Sequence, residues 1–347
     1  MSNLIFFDST LRDGSHAIKH QLTRENIKNY CTLMDQAKMH TIIVGHGNGL
    51  GASSLQVGVS LLDDEEMLQI ARDNLRDTKL GTFLIPGFGT IKDNLVPAIE
   101  IGVDLFCVAA HCTEADVTRQ HIEYVREKGK DVYGVLMMYH MASTERLVEE
   151  ALKLQSYGAM GVVIMDSAGA STPEMVQSTI SALASKLNIN IGFHSHNNLG
   201  LGVANAYTAI KSGATIIDGT IRGFGAGAGN CQLEALEALL RKVGINTNLD
   251  FYKMLDASEN VVSNFGIRSQ GIDSISIVSG LAGVFSSFAT QVAKASIAFN
   301  VDPRDVFMEL GKRKVVGGQE DAVIDVAMNL AQIQKYDETS YLMESLL

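Results

Sequence analysis

The sequence lacks the features that mark membrane, secreted and nucleic-acid-binding proteins. No apolar run approaches the roughly 18 residues that span a bilayer, and the first residues, MSNLIFFDST, have no basic segment of the kind that opens a signal peptide. The formal net charge is −11, without a basic block, so we expect no nucleic-acid partner. These absences predict a cytoplasmic protein that binds neither membranes nor nucleic acids.

Cysteine and proline are also scarce. The four cysteines (Cys31, Cys107, Cys112 and Cys231) form no CxxC pair and no dense framework, which fits reduced thiols. Only 4 prolines stand against 32 glycines, a balance that suits tight strand–helix turns better than linkers or disorder. With 347 residues, 46% of them hydrophobic, the chain is long enough for an elaborated barrel or for a large and a small domain.

Short apolar runs recur from residue 4 to residue 220 and alternate with helix-like stretches. The predicted strands are 4–9, 41–46, 79–85, 104–110, 131–138, 161–166, 189–194 and 215–220. Each is almost continuously apolar, as parallel strands covered on both faces are. The pattern predicts an α/β fold of the (β/α)₈ TIM-barrel type. A doubly wound sheet is the alternative, but no GxGxxG follows the first strand.

Helical patterns are found both between the strands and after them. Stretches 23–38, 143–158 and 172–187 lie between strands, with Ser143 and Thr172 as predicted N-caps. After Gly244 only helical patterns follow, over 250–263, 279–299, 302–312 and 320–335. We therefore predict a barrel domain over residues 1–264 and a helical C-terminal domain over 265–347 that serves as a partner-docking region.

The seventh predicted strand ends in two histidines, within IGFHSHNNLG (191–200). Residues i and i+2 of a strand share a face, so His194 and His196 either hold a metal or are two satisfied polar residues at a sheet rim. Active sites of such barrels lie at the C-terminal strand ends, which favours the metal. Asp13 is the best third ligand, because barrel closure brings the first strand near the seventh and eighth.

This ligand set suits a divalent ion such as Mn²⁺, with Mg²⁺, Co²⁺ and Zn²⁺ as alternatives, acting as a Lewis acid. Arg12 is either a bidentate partner for a carboxylate or enolate oxygen or a rim salt-bridge partner of Asp13. Lys79 is the one lysine in the predicted strands and lies at the wrong end, which disfavours Schiff-base chemistry. The glycine-rich segment GAGAGN (225–230) suits an anion-binding loop and a tight packing turn equally well.

Seven segments of the chain match the pattern of a known family. They are DSTLRDGSHAIKHQ (8–21), HGNGLGASS (46–54), HCTEAD (111–116), HSHNNLGLGVANA (194–206), GAGAGN (225–230), AGVFSSF (282–288) and VVGGQED (315–321). Together they resemble the 4-hydroxy-2-oxovalerate aldolase family. That family belongs to the metal-dependent barrel superfamily of 3-hydroxy-3-methylglutaryl-CoA lyase and isopropylmalate synthase. The resemblance runs from about residue 4 to about residue 335.

The resemblance implies a class II pyruvate aldolase. Such an enzyme cleaves a 4-hydroxy-2-oxo acid, such as 4-hydroxy-2-oxovalerate, to pyruvate and acetaldehyde through a metal-stabilised pyruvate enolate. The resemblance also implies that Asp13, His194 and His196 bind Mn²⁺, that Arg12 stabilises the enolate, and that His16 removes the 4-hydroxyl proton. We expect Ser167 and Phe285 to contact the substrate. The family's aldolases usually pair with an acylating acetaldehyde dehydrogenase and pass the aldehyde to it through a channel. We also expect an oligomer.

Three positions depart from the family pattern. Ile43 replaces a glutamate that orients the catalytic arginine, so Arg12 is held by another group or more loosely. Asn48 replaces an aspartate. Phe285 replaces a tyrosine associated with the hydroxyl-bearing centre, which removes a donor and leaves an apolar wall. Asn230 matches a metal ligand of the lyase branch. The residues with indirect or undefined roles around the site are His46, Asn48, Asn230 and Ile43.

Three other functions stay open. A Claisen-type acyl-CoA synthase or lyase of the same superfamily needs a basic cluster for the CoA nucleotide, and the sequence shows none near the rim. Ile43 and Phe285 suggest a catalytically weakened metal-binding subunit that acts in assembly, but the complete set of predicted catalytic residues opposes it. An iron oxygenase with two histidines and one carboxylate usually uses a different β scaffold.

Overall fold

Eight parallel strands close into a barrel in this computed structural model, which describes residues 4–266 and 270–344, and only the backbone from 336 to 344. The strands are β1 Ile5–Asp8, β2 Thr41–Val44, β3 Lys79–Leu84, β4 Leu105–His111, β5 Asp131–Met137, β6 Gly161–Asp166, β7 Asn190–Ser195 and β8 Ile216–Gly219. Each pairs with the next, and β8 pairs with β1. The predicted (β/α)₈ barrel and its eight strands are confirmed.

A helix follows each strand on the outside of the barrel. These helices are α1 Arg24–Gln36, α2 Asp64–Asn74, α3 Val96–Ile101, α4 Arg119–Glu127, α5 Thr144–Ser156, α6 Pro173–Lys186, α7 Gly202–Lys211 and α8 Leu233–Lys242. The hydroxyls of Ser143 and Thr172 accept backbone N–H groups at the starts of α5 and α6. Both predicted N-caps are therefore confirmed.

The described C-terminal part is helical. It comprises α9 Phe251–Phe265, α10 Ser274–Ala282, α11 Ala289–Phe299, α12 Pro303–Lys312 and α13 Asp321–Glu344. The single helix predicted over 279–299 is wrong, because Gly283 adopts a left-handed φ of 67° and ends α10. Phe285 lies in the resulting break and reaches the barrel mouth. Among the described helices, none has both the length and the apolar character of a membrane span.

The alternation of side chains along each strand separates two buried clusters. Inward residues, including Phe7, Ile43 and Phe83, fill the barrel, whereas outward residues pack under the surrounding helices. A third buried cluster, from Val284 to Ala327, joins the C-terminal helices. The domain division after residue 264 stays a prediction, and the neighbouring residues 267–269 lie outside the described part of the chain.

Candidate active site and metal centre

Asp13, His194 and His196 meet at the C-terminal mouth of the barrel. His194 is an inward residue of β7, His196 follows the end of that strand, and Asp13 opens the short 3₁₀ helix Asp13–Ile18 after β1. Oδ2 of Asp13 lies 3.4 Å from Nε2 of His194 and 3.5 Å from Nε2 of His196. Ligand atoms of all three residues lie within 4.8 Å of one another. The fold thus brings together the three residues that the sequence indicated as metal ligands. Because they are candidate ligands, we call Asp13, His194 and His196 the metal cluster.

The state of these side chains fits a divalent cation. Nε2 of His194 is buried and has no hydrogen-bond partner. Although burial opposes ionisation, Arg12, His196 and His194 hold the pKa of Asp13 well below its usual range. Burial lowers the pKa of His196 to about 4, against the opposing effect of Asp13, so its ring is neutral near pH 7. The charged carboxylate of Asp13, the neutral imidazole of His196 and the unpaired Nε2 of His194 together offer oxygen and nitrogen atoms to a divalent metal.

A second carboxylate, Asp218 on β8, supports this cluster, and sequence reasoning missed it. Its Oδ2 lies 3.2 Å from Nδ1 of His194 and 3.9 Å from Nη2 of Arg12. Burial alone would lower the pKa of His194, but Asp218 and Asp13 raise it to about 9. Carboxylates commonly orient metal-binding histidines through the other ring nitrogen. The sequence signal that could have indicated Asp218 is a single inward-facing acid in the otherwise apolar strand β8.

The guanidinium of Arg12 is held at the mouth from several directions. Nη1 donates to the carbonyl of Gly47 at 3.3 Å and to Oδ2 of Asp13 at 3.4 Å. Nη2 donates to Oγ of Ser9 at 3.3 Å. The guanidinium carbon lies 4.5 Å from the ring centre of Phe83. Nε is buried without a hydrogen-bond partner, so the predicted salt bridge with Asp13 leaves Arg12 with donor capacity.

His16 lies beside this cluster, and Gly47 makes room for it. A β-carbon at Gly47 would lie 2.3 Å from Nε2 of His16, so this close approach requires glycine. Burial lowers the pKa of His16, with Arg12 adding to the effect and Asp13 opposing it. The imidazole is therefore neutral near pH 7 and able to accept a proton.

His46 packs behind His16 and does not face the metal cluster. Its Nδ1 accepts the N–H of Asn48 at 3.0 Å and its Nε2 lies 3.1 Å from the carbonyl of Gly58, which places the proton on Nε2. Its ring stacks on His20 at 3.8 Å, and His20 meets His16 edge-on at 4.7 Å. Burial lowers the pKa of His46 to about 4 and of His20 to about 2. The stack is therefore uncharged.

Other ionisable residues at the strand ends do not reach the cluster. Strand alternation turns Asp8 outward, where it accepts a hydrogen bond from Tyr30 of α1. Asp166 likewise accepts backbone N–H groups of the loop that follows β6. Nε2 of His140 lies 3.1 Å from the carbonyl of Gly283, in the C-terminal part. A position at the rim is therefore not enough to place a residue in the site.

A cavity of about 30 Å³ lies between the metal cluster, Arg12 and His16, with room for roughly two water molecules. Ser167 and Phe285, the predicted substrate contacts, line it. Two larger clefts share Asn48 and Ser287 with this cavity. The polar cleft, about 510 Å³, is lined by residues that include His16, Lys19, Lys294 and Glu320. The apolar cleft, about 530 Å³, is lined by residues that include Pro86, Phe88, Val117 and Phe285.

Asn230 lies next to the metal cluster but contacts the backbone. Its Nδ2 donates to the carbonyl of Phe224 at 2.9 Å, while its Oδ1 is buried without a hydrogen-bond partner. The side chains of Asn230 and Asp13 both lie against Gly225, where a β-carbon would meet them at 2.1 and 3.1 Å. Asn230 therefore keeps one buried, unpaired oxygen beside the predicted metal ligands.

Comparison with known proteins assigns the family. Residues 3–261 match the HMGL-like family, and residues 270–332 match the DmpG-like communication domain. A 4-hydroxy-2-oxovalerate aldolase from Pectobacterium atrosepticum is 54% identical over 329 residues, 95% of this chain and 96% of the relative. One from Spirochaeta aurantia is 50% identical over 327 residues, 94% of this chain and 96% of the relative. This chain belongs to the 4-hydroxy-2-oxovalerate aldolase family.

The fold is also found in a more distant enzyme. The carboxyl transferase domain of Rhizobium etli pyruvate carboxylase, solved with pyruvate and biocytin, matches with a TM-score of 0.80 at 16% identity. The match covers 95% of this chain and 61% of that chain. At this identity the likeness shows the fold alone. The resemblance inferred from the sequence is confirmed by the closer relatives, and the 4-hydroxy-2-oxovalerate aldolase family is divalent-metal dependent.

Within this family's pattern, the structure explains how Arg12 is held without a glutamate at position 43. Ile43 is buried in the inner cluster of the barrel, and its register partner on β3 is Gly81. Two residues beyond Gly81, Phe83 presents its ring to the guanidinium. An aromatic face, together with the Gly47 carbonyl and the Asp13 carboxylate, therefore holds Arg12 in this chain.

Proposed function

We propose that this chain is a divalent-metal-dependent aldolase that cleaves a 4-hydroxy-2-oxo acid, such as 4-hydroxy-2-oxovalerate, to pyruvate and a short aldehyde such as acetaldehyde. The observation that carries the proposal is the cluster of Asp13, His194 and His196 directly beside Arg12. Mn²⁺ fits this mixed nitrogen and oxygen set, with Mg²⁺, Co²⁺ and Zn²⁺ as alternatives. When bound, the cation supplies Lewis acidity to the keto and carboxylate oxygens of the substrate.

Arg12 binds the 2-oxo acid end of the substrate and stabilises the charge that develops on its keto oxygen. Its guanidinium is fixed between Phe83, Gly47 and Asp13, and its buried Nε has a free donor. As the carbon–carbon bond breaks, negative charge moves onto the keto oxygen of the pyruvate half. A preorganised cation at that position stabilises the transition state more than the ground state.

His16 takes the proton of the 4-hydroxyl group. Its neutral ring lines the cavity that also contains Arg12 and the metal cluster. The hydroxyl proton passes to His16 and the oxygen's electron pair forms the aldehyde carbonyl. The electron pair of the broken bond passes into the pyruvate enolate, which then takes a proton at carbon. The histidine stack behind His16 fixes its ring without competing for the proton.

The clefts suggest how the two products separate. We assign the charged 2-oxo acid to the polar cleft, where Lys19 and Lys294 lie, and the aldehyde to the apolar cleft beyond Phe285. Residues 270–332 match the DmpG-like communication domain. We propose that an acylating acetaldehyde dehydrogenase docks on this part and receives the aldehyde.

The other functions raised by the sequence have less support. Relatives about half identical over nearly the whole chain carry the aldolase name, which disfavours the acyl-CoA synthase or lyase and the iron oxygenase. A catalytically weakened subunit is disfavoured because Gly47, Ser9 and Phe83 hold the Arg12 guanidinium at the site despite Ile43. The aldolase is therefore the function that the site supports best.

Exchange of the methyl protons of pyruvate tests the proposal without knowledge of the aldehyde. Metal-stripped protein is incubated with pyruvate in D₂O, with and without Mn²⁺, and the methyl signal is followed by NMR. We expect Mn²⁺-dependent exchange that is lost in Arg12→Ala. Absence of exchange in folded, metal-loaded wild-type protein would overturn the proposal. Exchange without cleavage of 4-hydroxy-2-oxovalerate would point to a different aldehyde.

A further inference from the structure

The glycine-rich loop between Gly225 and Asn230 touches the metal cluster through its backbone. Ala226 donates its N–H to Oδ1 of Asp13 at 3.2 Å. The imidazole nitrogens of both histidines face the other oxygen, Oδ2. The Ala226 N–H therefore binds the carboxylate oxygen that does not face the histidines. This hydrogen bond fixes the rotation of the Asp13 carboxylate. Groups that orient a ligand in this way tune metal affinity.

The loop is rich in glycine, and side chains from outside it hold much of its backbone. Gly227 and Gly229 have φ values of 61° and 83°, in the left-handed region that glycine enters at no steric cost. The N–H groups of Gly225, Ala226 and Ala228 also donate to side-chain oxygens and are therefore not free for an anion. This favours the packing turn over the anion-binding loop. Within the loop, the N–H of Gly229 holds the carbonyl of Ala226 at 3.0 Å. The peptide between Gly225 and Ala226, which carries the Ala226 N–H, is instead held from outside the loop.

One side chain from beyond the barrel supplies that restraint. Nε2 of Gln270 donates to the carbonyls of Gly225 at 2.6 Å and Gly227 at 2.7 Å, and its Oε1 accepts the N–H of Gly225 at 3.0 Å. These three hydrogen bonds bracket Ala226 on both sides. Gln270 precedes α10 and lies in the region that matches the communication domain, whereas the loop lies in the region that matches the barrel family.

Asn198 holds a different part of the loop. Its Oδ1 accepts the N–H of Ala228 at 3.4 Å and the hydroxyl of Ser286 at 3.3 Å. These bonds lie on the far side of Gly227 from Asp13. Gln270 is therefore the side chain, among the contacts described, that grips both neighbours of Ala226.

We propose that Gln270 is a positioning residue for the metal site. It fixes the Ala226 N–H on Oδ1 of Asp13, so that Oδ2 stays presented to the cation. The proposal rests on the proposed function, because it takes Asp13 as a metal ligand. It makes cation affinity in the barrel depend on a neutral side chain contributed by the C-terminal part.

Gln270→Glu is the sharpest test, because it keeps the side-chain length and the acceptor for Gly225 but turns the donor into a charged oxygen facing two carbonyls. Full-length, metal-stripped wild-type and variant proteins are titrated with Mn²⁺, and free Mn²⁺ is measured by EPR. We expect the dissociation constant to rise about tenfold, at the low end of the range for groups that orient metal ligands. Gln270→Ala, which adds no charge, should weaken binding in the same direction and decides the matter if Gln270→Glu does not fold.

Gln291→Glu is the matched control. Its Nε2 donates to the carbonyl of Gln56 at 3.3 Å, which also links the C-terminal helices to the barrel rim. It should bind Mn²⁺ as wild-type protein does. Mn²⁺ affinity unchanged in both Gln270 variants would overturn the proposal, and so would equal weakening in Gln291→Glu, which would indicate general loosening. If wild-type protein binds none of the four divalent ions, the proposed function itself fails.

Discussion

Around the barrel mouth, the side formed by β1, β7 and β8 carries charged groups, whereas the side formed by β2 to β6 carries mostly apolar ones. The charged side holds Arg12, Asp13, His194, His196 and Asp218. The apolar side holds Ile43, Phe83, Ile85, Met137 and Met165, and Phe285 reaches the same cavity from the C-terminal part. A 4-hydroxy-2-oxo acid divides in the same way, with a charged end and an alkyl end. We infer that the charged side sets the reaction and the apolar side sets which substrate is used.

The two sides should also respond differently to substitution. The groups of the charged side are buried together and paired with one another, so removal of one leaves its partners unpaired in a site of low polarity. The apolar groups act by packing and by one aromatic contact with Arg12. Substitutions on the charged side should therefore reduce activity more than single substitutions on the apolar side.

Asp13→Ala should have the largest effect. It removes a ligand and the counter-charge of Arg12 at once. We expect the loss of Mn²⁺ affinity to exceed the roughly 10- to 100-fold that outer groups cost, and Mn²⁺-dependent pyruvate exchange to disappear. Mn²⁺ titration and the NMR exchange measurement check both. Asp116→Ala, at an exposed acid beyond β4, is the control and should exchange like wild-type protein. If Asp13→Ala retained pyruvate exchange, the charged side would not be where the enolate forms.

His16→Ala should separate the two half-reactions. We expect cleavage of the 4-hydroxy-2-oxo acid to fall by roughly 10² to 10⁴, the range for a lost general base, while pyruvate exchange falls less. Burial lowers the pKa of His16, so the neutral base persists below the usual value of about 6.5. The acid limb of kcat/KM for cleavage should therefore lie below that pH in wild-type protein and vanish in the variant. An equal fall in both half-reactions would contradict this role.

Much of the charged side follows from the sequence, because strand periodicity and barrel closure fix it. Once β7 is recognised, His194 and His196 share a face, and closure of the sheet brings Asp13 to them. The same parity places Asp218 inward and turns Asp8 outward. A count of alternate residues along each strand is therefore enough to separate these two acids from the sequence alone.

The apolar side and the loop restraint do not follow in this way. The contact between Phe83 and the guanidinium depends on the side-chain conformation of Arg12, which extends across the barrel mouth. Gln270 reaches the loop from a segment whose sequence carries no motif, through contacts 43 and 45 residues apart along the chain. The break near Gly283, which brings Phe285 to the cavity, was hidden in an apolar stretch typical of a continuous helix.

Phe83→Leu tests whether the apolar side helps the charged side. Loss of a cation–π contact, at about 0.5 to 2 kcal/mol, should lower kcat/KM for cleavage by roughly 2- to 30-fold with Mn²⁺ affinity unchanged. Phe106→Leu is the control, because Phe106 is an outward, buried residue of the neighbouring strand β4. It should lower the melting temperature without changing kcat/KM of the folded enzyme. If both variants retain full kcat/KM, Arg12 is held by its hydrogen bonds alone.

Phe285→Tyr should have the smallest effect on rate and act on selectivity. The new hydroxyl enters the cavity that Phe285 shares with Ser167 and the metal cluster. One hydrogen bond, at about 0.5 to 1.5 kcal/mol, should change kcat/KM by roughly 2- to 13-fold, and unequally for the two enantiomers of 4-hydroxy-2-oxovalerate. Chiral-substrate kinetics measure the ratio. Phe88→Tyr, in the apolar cleft but outside the small cavity, should leave that ratio unchanged. A shift in Phe88→Tyr that matches the one in Phe285→Tyr would place the selectivity in the cleft as a whole and not at the hydroxyl-bearing carbon.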